Sequence, residues 1–182
     1  MNKFKVFLAG KKITLVVIDP ADTKAVEKVM SFRNDPKLGC FIGRNFPFTA
    51  QRTVEDITGK DKVFLGIALG DEIIGFITLR RINLINGTGK LTVFLGEGNH
   101  RKGIGSEAVT LILWYAFNTL NLRKVNADVF AFNERSLRCF EKLGFRRQGV
   151  LEKEYFVDGQ YHDDILLRIF KEEWLDYNAT LD

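Results

Sequence analysis

Cysteine and histidine are scarce, with two of each in 182 residues. Cys40 and Cys139 stand far apart and form no CxxC, which argues against a disulfide framework. Together with His100 and His162 they do not make a zinc-ligand spacing, so no metal is expected. Long apolar runs are missing as well. Nothing approaches the roughly 20 residues that span a bilayer, and Met1–Gly10 lacks the basic and then apolar order of a secretory leader. The expectation is a soluble, cytoplasmic chain with no membrane partner. Charge of one sign is barely in excess, with 27 Lys and Arg against 23 Asp and Glu. That surplus suits an anionic ligand but falls short of a nucleic-acid footprint, for which only the basic pairs 101–102 and 146–147 speak. No nucleic-acid partner is expected. Prolines number three, and no repeat or low-complexity linker divides the chain, so residues 1–182 read as a single domain.

What is present is ordinary globular material, 46% hydrophobic and 27% charged, enough to bury a core. Ile13–Ile18 is a β-branched run, followed by a helix from about Ala21 to Phe32 that Arg33-Asn34-Asp35-Pro36 ends. An irregular aromatic loop occupies 40–48, and Thr49 caps a short helix to about Thr58. Val63–Leu69 and Glu72–Leu79 flank the turn Gly70-Asp71 as a hairpin, and Lys90–Gly96 is the next strand. From Ile104 the apolar residues recur at helical spacing nearly all round the helix, which marks a central, buried element. Val125–Val129 alternates as a strand, Glu134–Leu143 forms a helix stopped by Gly144, and Gln148–Tyr155 with Gln160–Phe170 makes a last hairpin.

The sequence between the strand ending at Gly96 and the helix opening at Ile104 is the informative one. A helix N-terminus presents unpartnered N–H groups and a positive dipole end to an anion. Gly103 and Gly105 admit close backbone approach, and Arg101 and Lys102 add charge, so the chemistry is that of phosphate. Three phosphate motifs compete. Gly98 to Gly103 has Walker spacing, but Ile104 stands where the lysine is required. Gly96 and Gly98 begin a dinucleotide fingerprint, but Arg101 occupies the third glycine and no acidic residue ends a second strand at the right distance. The third is the turn that opens the central helix of N-acetyltransferases, and Arg101-Lys102-Gly103-Ile104-Gly105 matches it.

Downstream, Asn133-Glu134-Arg135-Ser136 and then Glu141-Lys142-Leu143-Gly144-Phe145 resemble the paired blocks of the GNAT superfamily. The likeness extends through Asp158–Asp163 to Glu173-Trp174 and back to Arg33–Pro36. Within the superfamily the chain is similar to the branch of ribosomal-protein N-terminal and spermidine acetyltransferases. This resemblance implies an α/β (α+β) GNAT-like domain. Its mixed central sheet has about seven strands, mostly antiparallel, splayed between strands 4 and 5 and flanked by about four helices. It implies acetyl-CoA as cosubstrate and direct acetyl transfer to a primary amine in a ternary complex. The acceptor is a protein N-terminus or a small amine such as a polyamine or amino sugar, and a homodimer is left open. The alternative is a non-catalytic acyl-CoA-binding or sensing protein on the same fold.

By the same resemblance Val93, Phe94 and Leu95 run beside the pantetheine, with the Leu95 N–H aimed at the oxyanion. His100, Arg101, Lys102, Gly103, Ile104, Gly105 and Ser106 hold the diphosphate, and Asn133, Ser136 and Phe140 border the cofactor. For Asn133 and Ser136 the plain alternative is a helix cap. An amine must lose a proton before it attacks, so a base is wanted. Asp128 is the first candidate, with an exposed strand carboxylate as its plain alternative, and Glu97 beside the loop is the second. Arg33, Asp35, Phe41, Tyr155 and Tyr161 are expected at the acceptor, with Asp163 and Asp164 as carboxylates for a cationic one. Phe140 departs from the family, in which a tyrosine at this place protonates the leaving thiolate.

Overall fold

A computed structural model of the chain describes residues 4–37, 46–99 and 103–174. Among the described residues eight strands and four longer helices follow one another as β1 (Lys5–Ala9), β2 (Thr14–Val17), α1 (Thr23–Asn34), α2 (Ala50–Thr58), β3 (Val63–Leu69), β4 (Glu72–Asn83), β5 (Thr88–Leu95), α3 (Ile104–Asn118), β6 (Lys124–Phe130), α4 (Glu134–Lys142), β7 (Arg146–Val157) and β8 (Gln160–Phe170), and a fifth, short helix covers 171–174. The strands form one mixed sheet in the order β1-β2-β3-β4-β5-β6-β8-β7. That is one strand more than the expected seven, the addition being β1. It pairs antiparallel with β2 but is an edge strand whose side chains are mostly exposed, so it lacks the alternating burial that marks a strand in sequence.

The chain packs as two compact units, 1–79 with 93–112 and 80–92 with 113–182. The first holds an aromatic core. Phe64, Phe76 and Phe94 stack in series with centroids 5.3 and 5.2 Å apart, and Phe32 of α1 leans on Phe94 at 5.9 Å. Glycine makes this packing possible at one place. A Cβ at Gly75 on β4 would strike the carbonyl oxygen of Phe94, so only glycine lets the two strands lie together there. α1 begins one turn later than Asp19-Pro20 suggests, because it is Asp22 whose carboxylate accepts from the Ala25 N–H at 3.1 Å.

In the second unit β5 and β6 run parallel, in register from Thr88 opposite Lys124 to Leu91 opposite Ala127. The remainder of β6, Asp128–Phe130, is paired on β8. The expected parting of these strands corresponds to the end of their parallel register. α4 ends as its sequence predicts, with Gly144 at φ 88°. β7 and β8 form the terminal hairpin, interrupted between Leu151 and Tyr155 by a bulge in which Lys153 takes φ 52°. The Asp163 carboxylate accepts the Lys153 N–H at 2.8 Å and so holds the bulge. Among the described residues no helix is long and apolar enough to cross a membrane.

Candidate active site

In the first unit the end of β5 leads into the glycine turn. The Gly96 N–H donates to the Ile74 carbonyl at 2.9 Å, which ties the end of the strand to β4. Phe94 is buried in the aromatic core, so this residue offers a ligand its backbone and not its ring. Val93 and Leu95 are half-buried on either side of it. His100, Arg101 and Lys102, expected at the diphosphate, lie outside the described residues.

Gly103 lies at the mouth of α3. Its φ is +75°, the left-handed region in which a side chain is strained, and its carbonyl accepts from the Glu107 N–H at 3.0 Å to start the helix. Ile104, Gly105 and Ser106 form the first turn of α3, at the end where the helix dipole is positive. Gly105 differs from Gly103. A Cβ there would meet only Leu95 Cδ1 at 3.5 Å, so the fold itself does not require glycine at this position. The sequence reading missed Lys12. Its ammonium lies 3.5 Å from the place a Cβ of Gly103 would take, and its N–H donates to Glu107 Oε1 at 2.9 Å. A lone lysine some ninety residues before the loop carries no signal of this in sequence. The arrangement fits a phosphate: a left-handed glycine, a helix N-terminus and an ammonium at one point.

Glu97, the second base candidate, is largely exposed and 3.5 Å from the Lys37 ammonium. Arg33 is 7% exposed. Its guanidinium pairs with Asp56 and lies over the rings of Phe48, Phe76 and Phe64 at 4.6, 4.9 and 5.4 Å. Burial opposes charge on Asp56, but the hydrogen bond from Lys62 and the charges of Arg33 and Lys62 prevail, holding its carboxyl below the ordinary value. Asp35 accepts the Lys37 N–H at 2.8 Å in a tight turn, next to Asn34, which clamps the Phe48 backbone through both its carbonyl and its amide. Phe41 lies outside the described residues.

The second unit gathers the remaining candidates. Asp128 projects from β6 and is ion-paired with Lys90 of β5. Asn133 caps α4, its side-chain oxygen accepting the Ser136 N–H at 3.2 Å. Phe140 is 3% exposed and lies edge-on to Phe145 at 4.9 Å. Tyr155 packs on Phe130 at 4.6 Å and faces His162 across the hairpin, whereas Tyr161 faces Phe156, so the two tyrosines lie on opposite faces of the sheet. The face with Tyr155 also holds Asp128 and Asp164, and Lys90 joins them through its ion pair with Asp128.

Charges on this face perturb one another. Burial, then the positive charges of Arg80 and Arg81, lower the affinity of Lys90 for its proton, against an opposing pull from Asp164. Burial raises Asp164 above the ordinary carboxylate value, Lys90 opposing and Glu154 adding to it. Tyr155 is raised by burial, Asp164 and Glu154, with Arg80 and Arg81 opposing. Among the described residues no group of three or more His, Cys, Asp or Glu side chains is placed to hold a metal ion.

A model of the acetyltransferase (GNAT) domain matches residues 12–146. The chain belongs to the GNAT acetyltransferase family. It is an acetyl-CoA-dependent N-acetyltransferase. The SPbeta prophage-derived uncharacterized N-acetyltransferase YokL of Bacillus subtilis strain 168 is 30% identical over 172 residues, covering 92% of this chain and 95% of that protein. The spermidine N(1)-acetyltransferase of Escherichia coli K12 is 31% identical over 109 residues, 60% of this chain and 59% of the relative. In three dimensions the spermidine N-acetyltransferase of Vibrio cholerae, solved with CoA and spermine, superposes with a TM-score of 0.81 at 21% identity over 91% of this chain and 99% of that one. At that identity the likeness speaks for the GNAT fold.

Proposed function

We propose that residues 1–182 act as one domain that moves the acetyl group of acetyl-CoA onto a primary amine by direct attack in a ternary complex. The acceptor is a protein N-terminus or a small amine such as a polyamine or an amino sugar. The observation that carries the reading is Gly103, left-handed at the mouth of α3 with the Lys12 ammonium beside it, an arrangement suited to the cosubstrate's diphosphate. In this reading the first-turn N–H groups of α3 hold phosphate, Val93 to Leu95 offer backbone to the pantetheine, and the Leu95 N–H donates to the reacting carbonyl oxygen.

An alkyl ammonium near pKa ~10.4 costs about 4.6 kcal/mol to deprotonate at neutral pH. Asp128 takes that proton, directly or through water, once its carboxylate exchanges Lys90 for the incoming amine. The nitrogen then attacks the acetyl carbon, the carbon–sulfur bond breaks with its electron pair leaving on sulfur, and the second proton of the nitrogen passes to water. Phe140 has no proton to give, and a thiolate near pKa ~8.5 departs without an acid at some loss of rate. We place the reaction in the cytoplasm. The test is release of CoA from acetyl-CoA in the presence of N-terminal peptides, polyamines and amino sugars. Acetylation of one class supports the reading; bound acetyl-CoA with no turnover on any of these classes overturns the proposed acceptors.

A further inference from the structure

Glu107 places a carboxylate in the first turn of α3, and the acetyl transfer described above gives it no role. An acidic side chain there favours the helix dipole. At the mouth of a phosphate site the same charge repels the ligand, so the dipole alone does not account for it.

Three contacts, all within the first unit, join Glu107 to the glycine turn and to Lys12. Its backbone N–H donates to the Gly103 carbonyl at 3.0 Å. Its Oε1 accepts the backbone N–H of Lys12, 95 residues away in sequence on the turn between β1 and β2, at 2.9 Å. The Lys12 ammonium in turn reaches back to Gly103, 3.5 Å from the place a Cβ of that glycine would take. A hydrogen bond to a carboxylate is of the stronger, charge-assisted kind. Lys12 is an exposed residue, and a lysine side chain loses much rotamer freedom when it is held in one place. Fixing its backbone removes part of that cost and keeps the ammonium within reach of the glycine turn.

Gly10 fits the same arrangement. Its N–H donates to the Ile13 carbonyl at 2.9 Å and so closes the β1–β2 turn. A Cβ on Gly10 would lie 2.3 Å from Glu107 Oε1 and 3.0 Å from the Ile13 carbonyl oxygen. Gly10 is not left-handed, so glycine is wanted there for space and not for conformation. The carboxylate occupies the room a side chain would need.

We propose that Glu107 is a positioning residue for the cosubstrate: by fixing the backbone of Lys12 it aims that ammonium at the diphosphate of acetyl-CoA, and Gly10 leaves the space in which its carboxylate does so. This rests on the acetyl-transfer reading, with phosphate at the Gly103 turn, and adds the two residues that hold its cation in place. Glu107 acts through Lys12 and not on the ligand.

The test is calorimetric titration of the full chain with acetyl-CoA at low and high salt. Lys12→Met and Glu107→Ala each lower affinity about tenfold, and the double variant falls no further than either, because both remove the same ammonium from the ligand. Both also flatten the salt dependence of binding, which a purely structural role for Glu107 would not do. Glu107→Gln keeps an oxygen for the Lys12 N–H and binds acetyl-CoA as tightly as the wild type or more so. Gly10→Ala leaves both charges in the chain, pushes the carboxylate aside and weakens binding in the same direction as Glu107→Ala. Affinity in Glu107→Ala within about twofold of wild type, additive losses in the double variant, Glu107→Gln as weak as Glu107→Ala, or unchanged binding in Gly10→Ala overturns the proposal. Affinity unmoved by Lys12→Met removes the positioning role and leaves the transfer reading standing. A wild-type chain that binds no acetyl-CoA removes both.

Discussion

Asp164 and Asp128 lie on the same face and carry opposite liabilities. Burial makes Asp164 hold its proton more tightly folded than unfolded, with Lys90 on β5 opposing and Glu154 on β7 assisting. For a group whose folded value is raised, the stability it contributes is complete below its unfolded value, near 3.9, and is lost as pH rises through the folded value. Asp164→Asn is therefore expected to match the wild type near pH 4 and to exceed it by about 1 kcal/mol at pH 8 in urea denaturation, the amide carrying no charge to desolvate. A wild type that gains stability over the variant as pH rises refutes this. Asp128→Asn is a test of rate. It is expected to lower turnover by about 10²-fold or more at pH 7, with CoA affinity kept and part of the loss recovered at pH 9, where more amine is already neutral. Asp128 was legible in the sequence as a candidate only, through the family resemblance and its place five residues before Asn133. Its ion pair was not, because Lys90 reaches it through the parallel register of β5 and β6.

At the scale of elements, the two ends of helices separate structural from ligand-binding roles. Asn133 caps α4, so Asn133→Ala is expected to cost about 1 kcal/mol of stability and Asn133→Ser to restore it. A CoA affinity that falls in both variants would show a second role for the amide. At α3 the two glycines of the loop make opposite predictions. Gly103→Ala places a methyl on a left-handed backbone, a strain of about 1–2 kcal/mol, and is expected to lower both stability and acetyl-CoA affinity. Gly105→Ala meets only ordinary contact with Leu95, so stability holds, and a fall in affinity reports space taken by the ligand alone. Fluorescence-detected binding of acetyl-CoA to the two variants distinguishes them. The sequence reading treated the glycines alike, since a left-handed φ does not show in the letters. The β7–β8 bulge illustrates the same limit. Counting alternation from Gln160 does not tell which residue of β7 faces Asp164, because three residues of β7, Glu152 to Glu154, span one residue of β8, Asp163.

For the whole molecule, packing into two compact units poses the question of cooperativity. If residues 1–182 act as one domain, calorimetry is expected to show a single thermal transition. Acetyl-CoA at a hundred times its dissociation constant then stabilises the whole by about 2.7 kcal/mol. Two transitions, only one of them moved by ligand, would assign the cosubstrate to a single unit. The amino-acid sequence by itself determined the order of helices and strands from β2 to β8, the buried character of α3, the glycine loop before it and the Asn133–Phe145 block, since each is written in local periodicity or in short fixed spacings. Tertiary structure alone decided three things: that Lys12 stands beside Gly103, that Lys90 neutralises Asp128, and that Asp164 is buried with an oxygen unpaired among the described residues. The last two depend on which strands lie side by side and in what register. Long-range pairing sets that register, and residues distant in sequence acquire their charge environment only when it forms.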